Sequence, residues 1–269
     1  MALFNDITLG QYYFTDSLVH RLDPRSKFFA CIIGMTCMLV TTNPAVLLAT
    51  GAMLPAFIIA ARLPFSLVLR NIKPFIILIV LTFMLNVFWA EGRFLLRIPW
   101  IDVPVYSEGI KLGIVFSLRL IILILFAAIL TLTTSPIDLT DALDKLTAPG
   151  RKLGLPTHEL TMMITLALRF IPTLLNEAER IKKAQLSRGA TFDGNLIQRA
   201  KSVIPLIIPL FVSAFRRADE LALAMDARCY TGGDGRTSFK ELKFKRNDFL
   251  VLAGSLFFGA ALFLWELVI

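Results

Sequence analysis

Phe28 to Ala61 carries no charged residue. A helix needs about 20 apolar residues to cross a hydrocarbon core of about 30 Å, so this run is too long for one span and long enough for two. Thr41-Thr42-Asn43-Pro44 breaks it, which predicts helices over about 28–41 and 45–61 joined by a tight turn. Pro55 falls inside the second, where neighbouring helices re-satisfy the freed carbonyl. Further apolar runs cover 74–90, 110–131 and 249–269. In lipid every backbone polar group must bond internally, which leaves helices or a closed barrel. Leu, Ile, Phe and Ala dominate the runs without strict alternation, so helices are selected. The expected fold is an all-α, polytopic membrane protein of about five transmembrane helices, with long charged helices outside the bilayer.

Composition narrows the function. The chain has 269 residues, is 56% hydrophobic and only 18% charged, which excludes a soluble domain. Its net charge of +8 is the excess that cytoplasmic loops of membrane proteins carry. No basic module interleaved with aromatics is present, so nucleic acid is not expected as a partner. Cys31, Cys37 and Cys229 form no Cys-x-x-Cys pair, and His20 and His158 have no matching ligands, so no metal site is expected. No Gly-x-x-x-x-Gly-Lys-Ser/Thr loop occurs, so the chain is not expected to bind nucleotide. No nucleophile–base spacing points to an enzyme.

Met1 to Lys27 lacks the layout of a signal peptide and reads as an interfacial segment. It closes on Leu22-Asp23-Pro24-Arg25-Ser26-Lys27, where Asp23-Pro24 is turn-like. Arg25 and Lys27 stand at the mouth of the first span, placed for lipid phosphates. Arg62 to Lys73 is a short basic loop, and Glu91 to Glu108 a polar one. Arg119 lies inside the fourth span. An arginine there is a functional candidate by default; the alternative is that it faces a helix partner or snorkels to an interface. Ser135-Pro136-Ile137-Asp138 is a helix start: serine caps, proline fits the first turn and aspartate complements the dipole.

The stretch from His158 to Tyr230 organises the rest. A helix capped by Thr157 is apolar from Leu160 to Leu175, apart from Arg169, and then charged from Asn176 to Arg188. Pro172 is placed to bend it, and Gly189 is the expected left-handed stop. A second arm repeats the plan. Lys201 to Phe215 is mainly apolar with Pro205 and Pro209, Arg216 to Arg228 is charged, and the helix stops near Cys229. The loop Thr231-Gly232-Gly233-Asp234-Gly235 reads as flexible. Both arms end in an arginine between small residues: Ser187-Arg188-Gly189 and Ala227-Arg228-Cys229. One reading makes each arginine a complement to the helix dipole. The other makes each end a plug for a groove, its guanidinium set for bidentate contact with carboxylates.

The sequence resembles the transmembrane T component of energy-coupling factor transporters, a class of ABC importers for vitamins and metal ions. The match rests on Leu22-Asp23-Pro24-Arg25-Ser26-Lys27, Ser135-Pro136-Ile137-Asp138-Leu139, Ala167-Leu168-Arg169-Phe170-Ile171-Pro172, Glu177-Ala178-Glu179-Arg180, Ala184-Gln185-Leu186-Ser187-Arg188-Gly189-Ala190, Arg216-Arg217-Ala218-Asp219-Glu220-Leu221-Ala222 and Ala224-Met225-Asp226-Ala227-Arg228-Cys229-Tyr230. The family hallmark is Ala-Arg-Gly at the ends of two coupling helices; here Ser187 replaces alanine in one and Cys229 replaces glycine in the other.

The resemblance implies a coupling and scaffold subunit in a prokaryotic plasma membrane. Its partners would be two cytoplasmic ABC ATPase subunits, which bind the ATP, and a membrane-embedded substrate-binding S component. It implies no cofactor on this chain and ATPase contact through Ser187, Arg188, Gly189, Ala227, Arg228 and Cys229. Asp23, Pro24, Arg25, Arg119, Arg169 and Pro172 are candidates for structural or coupling roles. The expected organisation is a four-span membrane domain over 1–134, a cytoplasmic or interfacial coupling domain over 135–246 and a last span over 247–269. Lysine and arginine counts place the N-terminus and the coupling domain in the cytoplasm. The alternatives are a permease with its own solute path, which would use Arg119 and Asn86, and a lipid transferase using Arg62, Arg70 and Lys73.

Overall fold

The computed structural model describes residues 12–41, 43–90, 94–98, 103–154, 156–190, 195–232, 242 and 244–268. The start of the expected interfacial segment, the tip of the 91–108 loop and most of the 231–235 loop lie outside these residues, as do residues 240, 241 and 243 of the basic stretch before the last helix. Helices dominate: α1 (Pro24–Val40), α2 (Pro44–Ala60), α3 (Phe65–Arg70), α4 (Ile76–Trp89), α5 (Ser107–Thr133), α6 (Pro136–Thr147), α7 (Thr157–Ser187), α8 (Leu196–Asp226) and α9 (Arg246–Val268). The chain is an all-α membrane protein, and each of the five stretches expected to span is helical. Phe65–Trp89 and Ser107–Thr133, of 25 and 27 residues, are long and apolar enough to cross a bilayer, and Pro44–Ala60 is a shorter apolar helix.

Two differences from the sequence reading are local. The basic loop 62–73 contains α3, followed by a 3-10 turn over Lys73–Phe75. The polar 91–108 loop carries a hairpin, β1 (Phe94–Ile98) antiparallel to β2 (Val103–Tyr106), with Leu96 opposite Val105 and Ile98 opposite Val103. These short runs of strand-forming residues pair with each other between α4 and α5. The structure divides into two compact units, one over 140–241 and one combining 10–139 with 242–269.

In the second unit, turn chemistry sets the first helices. The Asp23 carboxylate accepts from Arg25 N at 2.9 Å and caps α1, and Asn43 caps α2 through Ala45 N at 2.9 Å. Met38, Leu47, Leu54 and Ile122 bury against one another. Ile58, Ala61, Leu63, Val68 and Leu132 form a second cluster. The outer face of α4 is apolar and exposed, with Ile77 and Trp89 about 80% accessible, as a lipid-facing surface requires.

Backbone proximity, not side-chain volume, joins α4 to α5. A Cβ on Gly109 would meet Asn86 O and Val87 O at 2.9 Å, and one on Gly113 would meet Phe83 Cδ2 at 3.0 Å. These glycines stand four apart, the small-xxx-small spacing that lets membrane helices approach. Because backbone cannot yield as a side-chain tip does, Gly109→Ala is expected to cost about 1–3 kcal/mol. It should lower the melting temperature of the purified chain more than Gly254→Ala, where a Cβ meets nothing within 4 Å.

Candidate functional site

In the unit over 140–241, α7 and α8 are both 31-residue helices. Helix α7 starts with Pro156 at its cap, so Thr157 is the first helical residue rather than the cap. It continues unbroken through Pro172. Helix α8 begins earlier than its apolar run, because Asn195 and Gln198 form a reciprocal capping box. Only eight residues separate α7 from α8, and short helix connections join antiparallel neighbours. The two helices pack together and their C-terminal ends point apart.

Those ends are built alike. At α7, Gly189 has φ +84°, its N–H donates to Leu186 O at 3.0 Å, and Ala190 N donates to Gln185 O at 3.0 Å. At α8, Cys229 has φ +54°, its N–H donates to Asp226 O at 2.9 Å, and Tyr230 N donates to Met225 O at 3.1 Å. Each pair of bonds is the Schellman stop, with one residue in the left-handed region. Arg188 and Arg228 therefore hold the same position in two copies of one motif, immediately before the left-handed residue. Ser187, Arg188, Gly189, Ala227, Arg228 and Cys229 are all exposed. Neither guanidinium has an ion pair or side-chain hydrogen bond among the described residues.

The departure from glycine at the second end is tolerated at a cost, since a left-handed L-residue is strained by about 1–2 kcal/mol. Cys229→Gly is expected to raise stability by about 0.5–1 kcal/mol once glycine's entropy is subtracted. Gly189→Ala should lower it by about 1–2 kcal/mol. Denaturant titration of the two variants checks the opposite signs.

Two apolar surfaces accompany the ends. Between α7 and α8 runs an open groove of about 450 Å³ lined by Met163, Phe170, Leu174, Leu221, Met225 and Tyr230 among others. Along α8, Ile204, Ile207, Ile208, Phe211 and Phe215 are exposed at helical spacing. A contiguous apolar face of this kind marks a protein or membrane contact.

The other candidates fall elsewhere. Arg169 and Pro172 are exposed positions of α7. Arg119 Nη2 bonds Thr41 O, the capping carbonyl of α1, and its guanidinium lies 5.1 Å from the Phe116 ring. This is the helix-partner alternative: a cation on the C-terminal end of α1.

Asp23, Pro24 and Arg25 belong to a clasp rather than to a lipid site. Arg25 Nη2 donates to Asp23 Oδ2 at 3.3 Å and to Leu242 O at 2.9 Å, and its guanidinium stacks 4.5 Å from the Phe244 ring. The Lys27 ammonium is buried and donates to His20 O at 3.2 Å and Thr133 O at 2.9 Å, which caps the end of α5. Neither cation is left for phosphate as the sequence reading expected. Burial, with the Lys27 ammonium adding to it, holds the His20 imidazole below its ordinary pKa. Sequence reasoning missed Asp248. Its carboxylate is 1% exposed and accepts from Asp23 N and Lys245 N, both at 2.7 Å.

Apolar helices long enough to cross a bilayer in one unit, and a pair of arginine-tipped helices in the other, define an integral membrane protein. Residues 15–239 match the family of cobalt transport proteins. Relatives described as energy-coupling factor transporter transmembrane protein EcfT include one from Acidaminococcus fermentans, 49% identical with 92% of each chain covered. Another, from Ruminiclostridium cellulolyticum, is 46% identical over 99% of each chain. A third, from Heliobacterium modesticaldum, is 49% identical over 93% of each. The chain belongs to this family of energy-coupling factor transporter transmembrane components.

Proposed function

We propose that this chain is the coupling subunit of an importer, transmitting the motion of two cytoplasmic ABC ATPase subunits to a membrane-embedded substrate-binding S component. The observation that carries this reading is the duplication of one helix stop with an unpaired, exposed arginine at the same position in each. A dipole complement alone calls for a cation somewhere in the last turn. It does not call for the same residue, in the same register, before two stops made from different residue types. Each end enters an acidic groove on one ATPase, where the small flanking residues admit the helix tip and the guanidinium makes bidentate contacts.

The exposed face of α8 receives the S component, since it offers a long apolar surface on the same unit as the arginines. ATP is bound by the ATPases and a vitamin or metal ion by the S component, while this chain takes neither ATP nor nucleic acid. The membrane part has five spans, with the N-terminus and the coupling helices in the cytoplasm of a prokaryotic cell. The domain limits that go with this are 1–134, 135–246 and 247–269.

Co-expression of the tagged chain with a pair of ABC ATPases tests the reading. Retention of both subunits on the tagged chain through purification is expected. A chain that inserts into membranes yet retains no ATPase would overturn the reading. Labelling of the 91–108 loop from outside the cell tests the orientation, and labelling only after lysis would reverse it.

A further inference from the structure

The coupling reading leaves open what holds the two arginines at a fixed spacing. Arg217 of α8 and Glu177 of α7 approach to 3.7 Å across the packed helices, both partly buried. Arg217 Nε is buried and makes no hydrogen bond in the structure. The Arg217 side chain is otherwise part-exposed, and the Glu177 carboxylate is the counter-charge that faces it across the two helices.

Glu177 precedes Arg188 by eleven residues, and Arg217 precedes Arg228 by eleven. Eleven residues make about three turns plus 20°, a length of about 16 Å. The ion pair therefore stands at the same distance from both tips, and each tip is nearly in register with the helix face that carries the pair. Because the arms run in opposite directions from this point, the tips lie about 30 Å apart.

We infer that Glu177 and Arg217 are positioning residues: their ion pair is the pivot that sets the angle between α7 and α8, and through it the spacing at which Arg188 and Arg228 are offered to two ATPases. The inference rests on the coupling reading for the identity of the partners, but the pivot itself does not. Loss of charge at either residue lets the crossing relax. A surface ion pair contributes little to overall stability, so the effect is on geometry, with the fold retained.

The test uses the full chain with Cys31 and Cys37 replaced by alanine. Spin labels go on native Cys229 and on Leu160→Cys, both exposed positions at the same end of the groove. Their distance is measured in Glu177→Gln, in Arg217→Gln and in the exchanged pair Glu177→Arg/Arg217→Glu. Lever arms of about 25 and 18 Å turn a 10° change of crossing angle into a shift of about 3 Å. Each single variant is expected to shift or broaden the distribution by that amount, and the exchanged pair to restore it.

ATPase retention by the unlabelled chains should fall about tenfold in the singles, the scale typical of coupled sites, and recover in the exchange. An unchanged distribution in both singles, or no recovery in the exchange, overturns the pivot. A distribution that shifts and recovers while ATPase retention stays at the wild-type level overturns the claim that the pivot sets the spacing offered to the ATPases, whereas a wild-type chain that retains no ATPase overturns the coupling reading instead.

Discussion

Replacing Arg188 and Arg228 together by glutamate is expected to abolish ATPase retention and solute uptake, with the protein still inserted and folded. Both side chains are exposed and neither has an ion pair or side-chain hydrogen bond among the described residues, so reversing their charge leaves the described contacts intact. The Schellman stops are made by backbone N–H groups of Gly189, Ala190, Cys229 and Tyr230, which the substitutions do not touch. In an acidic groove, each reversal replaces a bidentate charge pair with repulsion. Desolvated arginines at the centre of an interface cost about 2–4 kcal/mol on loss, or roughly 30- to 1,000-fold in affinity.

Each single variant should therefore weaken the assembly, and the double should eliminate it. Arg→Lys at either site keeps the charge but loses the rigid fork, so an intermediate loss is expected. The measurements are co-purification of both ATPases and uptake in cells. Retention of both ATPases by the double variant at the wild-type level is the result that sinks the plug mechanism.

Asp248→Ala is expected to be the most destabilising single change in the membrane unit. The Asp248 carboxylate is almost fully buried and satisfies two backbone donors, one at the start of α1 and one at the start of α9. Truncation strands Asp23 N and Lys245 N without acceptors, and each orphaned donor costs about 1–3 kcal/mol. The clasp around it then weakens, since Arg25 bridges Asp23 to the Leu242 carbonyl beside the same junction. A total of about 3–5 kcal/mol, comparable to breaking a buried ion pair, is expected. Asp248→Asn keeps one acceptor oxygen and should lose about half as much. Thermal unfolding in detergent gives the order: wild type, then Asn, then Ala. Equal midpoints for wild type and Asp248→Ala would show that the junction carries no load.

Much of the candidate site was legible because it is local. A Schellman stop needs only a left-handed residue and two backbone bonds within six residues. Ser187-Arg188-Gly189 announces it directly, and the repeat of the pattern pointed to the second end even with Cys229 in glycine's place. The helix starts were legible for the same reason: the Ser135 hydroxyl accepts from Asp138 N at 3.1 Å, a bond spanning three residues. The Phe28–Ala61 break fell within two residues of its observed position because Asn43-Pro44 carries both a cap and a first-turn proline.

The clasp was not legible. Leu22-Asp23-Pro24-Arg25-Ser26-Lys27 is conspicuous, but its basic residues read as lipid contacts because they stand at the mouth of the first span, and their distant partners leave no local signal. Those partners are Leu242 and Phe244 for Arg25, and Thr133 for Lys27. Asp248 looks like any acid in a first helical turn, and its second donor, Asp23 N, is 225 positions away. The groove between α7 and α8 was hidden for a related reason: periodicity identifies an apolar face but not the face that meets it.

Apolar run length, caps and stops act within a few residues, so the mainly helical membrane class, the apolar helices and the two arginine-tipped ends were all readable from the chain alone. That Arg119 caps α1 and that Arg25 and Lys27 are held inside emerges from the packed helices. Packing likewise brought Asp248 to Asp23 and set Glu177 beside Arg217. These are pairings between distant segments, and a side chain's partner across helices depends on packing geometry that no local preference encodes.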